Sequence, residues 1–126
     1  MSEIIKLLFL INFSLFLVHE MDAVKQQEWK MLIWLKNLED EKAYKIFTAI
    51  HIPLYVFLLF GIMDTSNNTS TIFLIIIDVF LIFHASIHFF FKKHKNNEFN
   101  SYFSKIVINA MAIISVAQII LLKLTA

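Results

Sequence analysis

The side chains in this sequence with the clearest chemical potential are histidines and carboxylates inside or beside long apolar runs. Such ionisable groups are costly in lipid, and within a membrane segment they usually mark a functional site. Imidazole and carboxylate groups are also common ligands of zinc, iron and manganese. The sequence therefore predicts a polar site with metal-binding chemistry inside an apolar protein. The residues concerned are His19, Glu20, Asp22, His51, His84 and His88.

Two of these histidines have a spacing that suits one shared ion. His84 and His88 are four residues apart, and on a helix such residues share one face about one turn apart. A divalent ion with an open coordination position can activate water, for which Glu20 or Asp22 would be the general base. A haem between His51 and His84 or His88 is an alternative use of the same side chains. The predicted metal ligands are His19, His51, His84 and His88.

Composition restricts both the fold and the class of ligand. Hydrophobic residues make up 59% of the 126 residues, and one glycine and one proline are too few for the turns of a β-barrel or sandwich. We therefore predict an all-α protein. The absence of cysteine excludes thiolate sites, which leaves zinc as the favoured ion and iron or manganese as alternatives. A net charge of +1 gives no basis for binding nucleic acid.

Four apolar runs are each long enough to cross a bilayer, which takes about 20 residues. They predict a single membrane domain, residues 1–126, folded as a four-transmembrane-helix bundle. The connection after the first run contains Trp29 and Trp34 and is predicted to be an amphipathic segment lying at the membrane interface. The predicted spans are Ile4–Val24, Ala43–Met63, Thr71–Phe91 and Ser104–Leu124.

Lysine placement predicts the orientation of the bundle. The two connections that follow the first and third spans carry most of the lysines, and the positive-inside rule places such loops in the cytoplasm. The expected location is the inner (plasma) membrane, with several passes and both termini facing outward. The lysines in those connections are Lys25, Lys30, Lys36, Lys42, Lys92, Lys93 and Lys95.

Counting residues from the lysine-rich side also predicts depth. The four histidines and Asn109 fall roughly 5–12 Å inside their spans, at a similar level on all four helices. Asp78 lies deeper, roughly 20 Å in and close to mid-bilayer. Asp78, Asn109 and Glu28 are therefore further polar candidates. The competing interpretation is that these side chains only form hydrogen bonds between helices, as polar groups in membrane bundles often do.

The string His19-Glu20-Met21-Asp22-Ala23, followed by Glu28-Trp29, resembles a motif of a bacterial family of short four-span integral membrane proteins. That family has no assigned function. The resemblance covers nearly the whole chain and implies that His19, Glu20, Asp22, Glu28 and Trp29 belong to one site. Membrane di-iron hydroxylases are a more distant comparison, because the paired histidines of their motifs are missing here.

Three classes of function are consistent with these features. The first is a metal-dependent hydrolase that acts on a lipid or another membrane-soluble substrate. The second is a non-enzymatic membrane subunit or assembly factor, whose polar groups bind neighbouring helices. The third is a small proton-coupled transporter with Asp78 or Glu20 as the coupling group. The bilayer is the expected partner in each, and a homodimer or a larger membrane complex is left open.

Overall fold

A computed structural model describes residues 3–63, 68–93 and 101–125 of the chain. Four long helices account for most of them, and the described residues contain no strand, so the all-α prediction is confirmed. Lys95, one of the lysines used to predict orientation, lies outside these residues. The long helices are α1 (Glu3–Lys25), α2 (Asp40–Met63), α3 (Asn68–Phe90) and α4 (Tyr102–Thr125). Two 3₁₀-helices, Glu28–Lys30 and Phe91–Lys93, follow α1 and α3.

Each of the four predicted apolar runs forms one of these helices, with ends that differ by a few residues at most. All four are long and apolar enough to cross a membrane. Large apolar side chains are exposed along every helix, as expected for surfaces that face lipid. Examples are Leu7, Phe60, Phe83 and Ile113. The architecture is therefore that of a multi-pass membrane protein with four spans.

The tightest packing is that of α4 against α1 and α3, and α2 lies at the edge of this three-helix core. Gly61 of α2 allows one close approach to α3, since a Cβ at this position would lie 2.1 Å from the Phe73 ring. The remaining loose contact of α2 leaves a narrow cleft between it and α1 and α3. Buried apolar residues of the three-helix core include Ile5, Phe9, Phe16, Leu74, Leu81, Ile108 and Met111.

The connection between α1 and α2 begins with the 3₁₀-helix Glu28–Lys30 and continues as turns. Trp29 is buried, and its indole Nε1 donates a hydrogen bond of 2.8 Å to Asp40 Oδ1. Its ring also packs against Tyr44 and Phe47 of α2, with ring centroids 5.5 and 5.8 Å apart. Trp29 thus attaches the connection to α2. Trp34 is exposed, and an interfacial position for this amphipathic segment stays a prediction.

A buried contact between α1 and α4 is made by Asp22. Its Oδ2 accepts a hydrogen bond of 2.5 Å from Ser104 Oγ, and Oδ1 accepts one of 3.0 Å from Gln26. Ser101 lies beside this contact, and its Oγ is 2.7 Å from Ser104 Oγ. The Ser101 Oγ also accepts a hydrogen bond from the Ser104 backbone N–H at the start of α4. The start of α4 is therefore held against the end of α1.

We expect Ser104→Ala to lower the free energy of unfolding by about 1–3 kcal/mol, because it leaves a buried carboxylate oxygen without its donor. Unfolding of the detergent-solubilised protein by heat or denaturant measures the change. Ser86→Ala is the matched control, since the Ser86 hydroxyl donates to the Ile82 carbonyl of its own helix and does not join two helices in the described residues. Equal loss of stability in the two variants would show that the Asp22–Ser104 contact contributes nothing specific.

Candidate metal centre

Three imidazole rings and one carboxylate converge near the lysine-rich end of the bundle. His19 comes from α1, His84 and His88 from α3, and Glu28 from the 3₁₀-helix after α1. One ligand atom from each lies within 4.8 Å of all the others. These four side chains, which we call the metal-ligand group, could hold one metal ion.

The histidines are arranged around a common point. Their ring centroids form a nearly equilateral triangle with sides of 4.8, 5.0 and 4.8 Å, and the rings meet edge to face. His84 Nε2 lies 2.7 Å from His19 Nε2 and 3.2 Å from His88 Nε2. The spacing of four residues brings His84 and His88 together as the sequence predicts.

The distances suit a small tetrahedral ion. Zinc–nitrogen bonds of about 2.0–2.1 Å require neighbouring ligand atoms to lie about 3.4 Å apart. The two nitrogen–nitrogen distances are somewhat shorter than this value. The carboxylate distances are somewhat longer, since Glu28 Oε2 is 4.0 Å from His19 Nε2 and Glu28 Oε1 is 3.8 Å from His88 Nε2. Side-chain shifts of well under about 1 Å would create tetrahedral spacing.

A left-handed residue at the end of α1 directs Glu28 into the group. Gln27 has φ 54° and ψ 47°, which is unusual for a residue with a side chain. At the end of a helix this conformation reverses the chain, so the following residue turns back toward the bundle. Glu28 is 8% exposed as a result. Strained backbone of this kind is found where the surrounding structure requires it, often at functional sites.

Burial raises the pKa of Glu28 to about 8, and the nearby Glu20 carboxylate acts in the same direction. A carboxyl group in such surroundings is neutralised either by a proton or by a cation. The neighbouring imidazoles supply nitrogen ligands for a cation at the same point. Glu28 is therefore chemically suited to complete the metal-ligand group.

A second carboxylate and imidazole pair lies beside this group. Glu20 Oε2 is 2.5 Å from His51 Nε2, and His51 Nδ1 is 2.7 Å from the Phe47 carbonyl oxygen. Because a carbonyl only accepts, Nδ1 carries the proton there, and the short contact at Nε2 requires a second proton shared with Glu20. Glu20 is close enough to Glu28 for the two carboxylates to interact electrostatically, and His51 is close enough to interact with His19. The Glu20–His51 pair can therefore hold and transfer a proton next to the metal-ligand group.

The structure brings together three of the four predicted ligands, His19, His84 and His88. His51 is not in that group and contacts Glu20 instead. Glu28, predicted only as a further polar residue and as part of the family motif, takes the fourth position. The acid directly before a tryptophan, Glu28-Trp29 in the family motif, is the sequence signal that could have identified it.

The remaining predicted polar residues, Asp22, Asn109 and Asp78, lie outside the metal-ligand group. Both carboxylate oxygens of Asp22 accept hydrogen bonds from Gln26 and Ser104, which suits a positioning role better than proton transfer. Asn109 is exposed on α4 and faces away from the bundle interior. Asp78 is buried deeper in the bundle, six residues from His84 along α3.

Comparison with known proteins gives one match. No curated protein and no solved structure is significantly similar to this chain. The model of a family of unknown function, DUF6713, matches residues 5–125, which is nearly the whole sequence. This agrees with the resemblance inferred from the sequence, although the short motif itself is not tested by the match. The chain therefore belongs to the family of unknown function DUF6713.

Proposed function

We propose that this protein is a metal-dependent hydrolase that acts on a lipid or another membrane-soluble substrate. The observation that supports the proposal best is the convergence of His19, His84, His88 and Glu28 on one point inside an apolar bundle. Three nitrogens and one oxygen in near-tetrahedral spacing favour zinc over iron or manganese. When bound, the ion would take water or the substrate carbonyl or phosphoryl oxygen as a fifth ligand, and it would lower the pKa of that water.

The Glu20–His51 pair supplies the proton chemistry in this proposal. Glu20 would accept the proton of the attacking water and later deliver it to the leaving group. His51, with its two ring nitrogens occupied by the Phe47 carbonyl and by Glu20, would hold the Glu20 carboxylate in place through the 2.5 Å contact. Asp22 would position the end of α1, and with it Glu20, through its hydrogen bond to Ser104.

The narrow cleft beside α2 supports a membrane-soluble substrate. It lies between α1, α2 and α3 and is lined almost entirely by apolar side chains. Phe16 and Phe80 at its wall precede His19 and His84 by three and four residues, so the cleft ends about one helical turn from the metal-ligand group. Its apolar lining suits the hydrocarbon part of a substrate, with the polar end toward the histidines. The lining residues are Phe9, Asn12, Phe13, Phe16, Leu58, Ile77, Phe80 and Leu81.

The predicted topology places this chemistry at the cytoplasmic headgroups. His19 and His88 lie close to the lysine-rich ends of α1 and α3. If those ends face the cytoplasm, as the positive-inside rule predicts, the scissile bond of the substrate lies in the cytoplasmic leaflet of the plasma membrane. Both termini then face outward.

Hydrolysis of defined lipids in vesicles tests the proposal. Zinc-loaded protein, protein stripped with a chelator, and stripped protein with zinc restored are compared on phospholipids, acyl esters and acyl amides. We expect turnover of at least one substrate class, its loss on stripping and its recovery with zinc. Turnover that is equal in the stripped protein would contradict a metal-dependent reaction.

A second candidate function is a non-enzymatic membrane subunit that uses the ion to join its helices. The observation in its favour is that four protein ligands fill a tetrahedral zinc site, as structural zinc sites do. In that case tightly bound zinc would accompany no turnover in the vesicle assay. Thermal stability would then fall sharply when the metal is removed, because metal binding contributes directly to folding.

A further inference from the structure

A second polar cluster lies at the middle of the bundle, away from the metal-ligand group. Asn12 of α1, Asp78 of α3, and Ser115 and Gln118 of α4 are each no more than 1% exposed. Asn12 Nδ2 donates a hydrogen bond of 2.7 Å to Ser115 Oγ. The Ser115 and Asn12 side chains are close enough to Asp78 to interact with its carboxylate. Gln118 lies one turn farther along the same face of α4.

The oxygens of this cluster are largely without hydrogen bonds. Both carboxylate oxygens of Asp78, Asn12 Oδ1 and the whole amide of Gln118 have no hydrogen-bond partner. Leaving such groups unsatisfied in an apolar interior costs on the order of 1–3 kcal/mol each, and more for a charge. Four buried acceptors on three helices, all without hydrogen bonds, are therefore candidate ligand atoms.

The chemistry of these unsatisfied groups restricts the kind of ligand that could bind them. Every unsatisfied acceptor is an oxygen, which hard cations prefer, whereas the metal-ligand group is rich in imidazole nitrogen. Asp78 is the only residue of the four with an ionisable side chain, so the cluster carries at most one negative charge. A divalent ion would leave an uncompensated charge at mid-bilayer, and a monovalent ion would not.

We propose that Asp78, Asn12, Ser115 and Gln118 form a binding site for a small monovalent cation of the size of sodium. The ion is held mainly by the Asp78 carboxylate and the Asn12 carbonyl, with the Ser115 hydroxyl and the Gln118 carbonyl as further oxygen ligands. By joining α1, α3 and α4 at mid-bilayer, it stabilises the three-helix core. The proposal is independent of the hydrolase function, because the site lies about 9 Å from His84 along α3.

Thermal unfolding of the protein in detergent tests this site. The protein is measured at pH 8 in sodium, potassium or choline chloride of equal ionic strength. We expect sodium at 100 mM to raise Tm by about 5 °C over choline. Asp78→Asn should abolish the difference. Ser14→Ala, which changes an exposed hydroxyl on α1 that bonds to the Leu10 carbonyl, should retain it.

The other outcomes overturn the proposal. Equal Tm values in sodium and choline between pH 6 and 9 would mean that Asp78 is simply protonated or hydrated. A sodium effect that persists in Asp78→Asn would place the ion elsewhere. If Asp78→Asn does not fold, Asn12→Ala decides, because loss of one oxygen ligand should raise the half-saturating sodium concentration about tenfold. An unchanged concentration in that variant would also overturn the site.

Discussion

Replacing His84 and His88 together by alanine should reduce the metal content of the purified protein from about one zinc per chain to less than about a tenth of that. These two residues supply two of the three imidazoles in the metal-ligand group. The remaining pair, His19 and Glu28, cannot enclose an ion in tetrahedral geometry. Mass spectrometry of protein purified in mild detergent without a histidine tag measures the ratio, and circular dichroism checks that the helices remain.

The informative control is His51→Ala. His51 lies at a similar depth on α2 but contacts Glu20 rather than the metal-ligand group. We therefore expect His51→Ala to keep its zinc. Zinc retained in the double variant would exclude the site, and zinc lost equally in His51→Ala would show that α2 contributes a ligand that the structure does not bring into the group.

The second large effect is expected for Glu20→Gln in the lipid hydrolysis assay. The amide has the shape of the carboxylate but cannot accept a proton, and loss of a general base typically lowers the rate by about 10²–10⁴-fold. Zinc content should stay the same, because Glu20 lies outside the metal-ligand group. The readouts are kcat on the best lipid substrate and metal content of the same sample.

Glu39→Gln provides the control, since Glu39 is an exposed acid directly before α2 and lies outside the metal-ligand group. It should leave both readouts unchanged. Activity of Glu20→Gln within about twofold of the unmodified protein would exclude a general-base role. Loss of zinc from Glu20→Gln would instead identify Glu20 as a ligand and require a different base.

The parts of the fold that depend on local sequence could be predicted well. Four apolar runs of spanning length form four helices because length and hydrophobicity are properties of each segment alone. The pairing of His84 with His88 follows in the same way from the helical repeat. Both features appear in the structure at the predicted positions.

The direction in which each side chain points could not be read from depth alone. His51 and Asn109 were predicted at the same depth as His19, His84 and His88. Depth does not fix the side-chain direction, because successive side chains on a helix point about 100° apart around its axis. The rotation of α2 turns His51 toward Glu20, and that of α4 leaves Asn109 exposed. Packing between helices decides these rotations, and the sequence of one segment contains little information about them.

The role of Glu28 depends on a chain reversal that sequence patterns do not predict. Gln27 adopts the left-handed conformation usually taken by glycine or asparagine. Only that reversal brings Glu28 from the connection into the space between α1 and α3. Trp29 follows Glu28 inward and packs against Phe47 of α2.

X-ray absorption at the zinc edge of the metal-loaded protein measures the ligands of the ion in the metal-ligand group. We expect the protein ligands of the ion to be three imidazole nitrogens and one carboxylate oxygen, from His19, His84, His88 and Glu28. In Glu28→Gln the imidazole signal should remain at three while the oxygen contribution changes. A shell with one imidazole or none, or with four imidazoles including His51, would contradict this account.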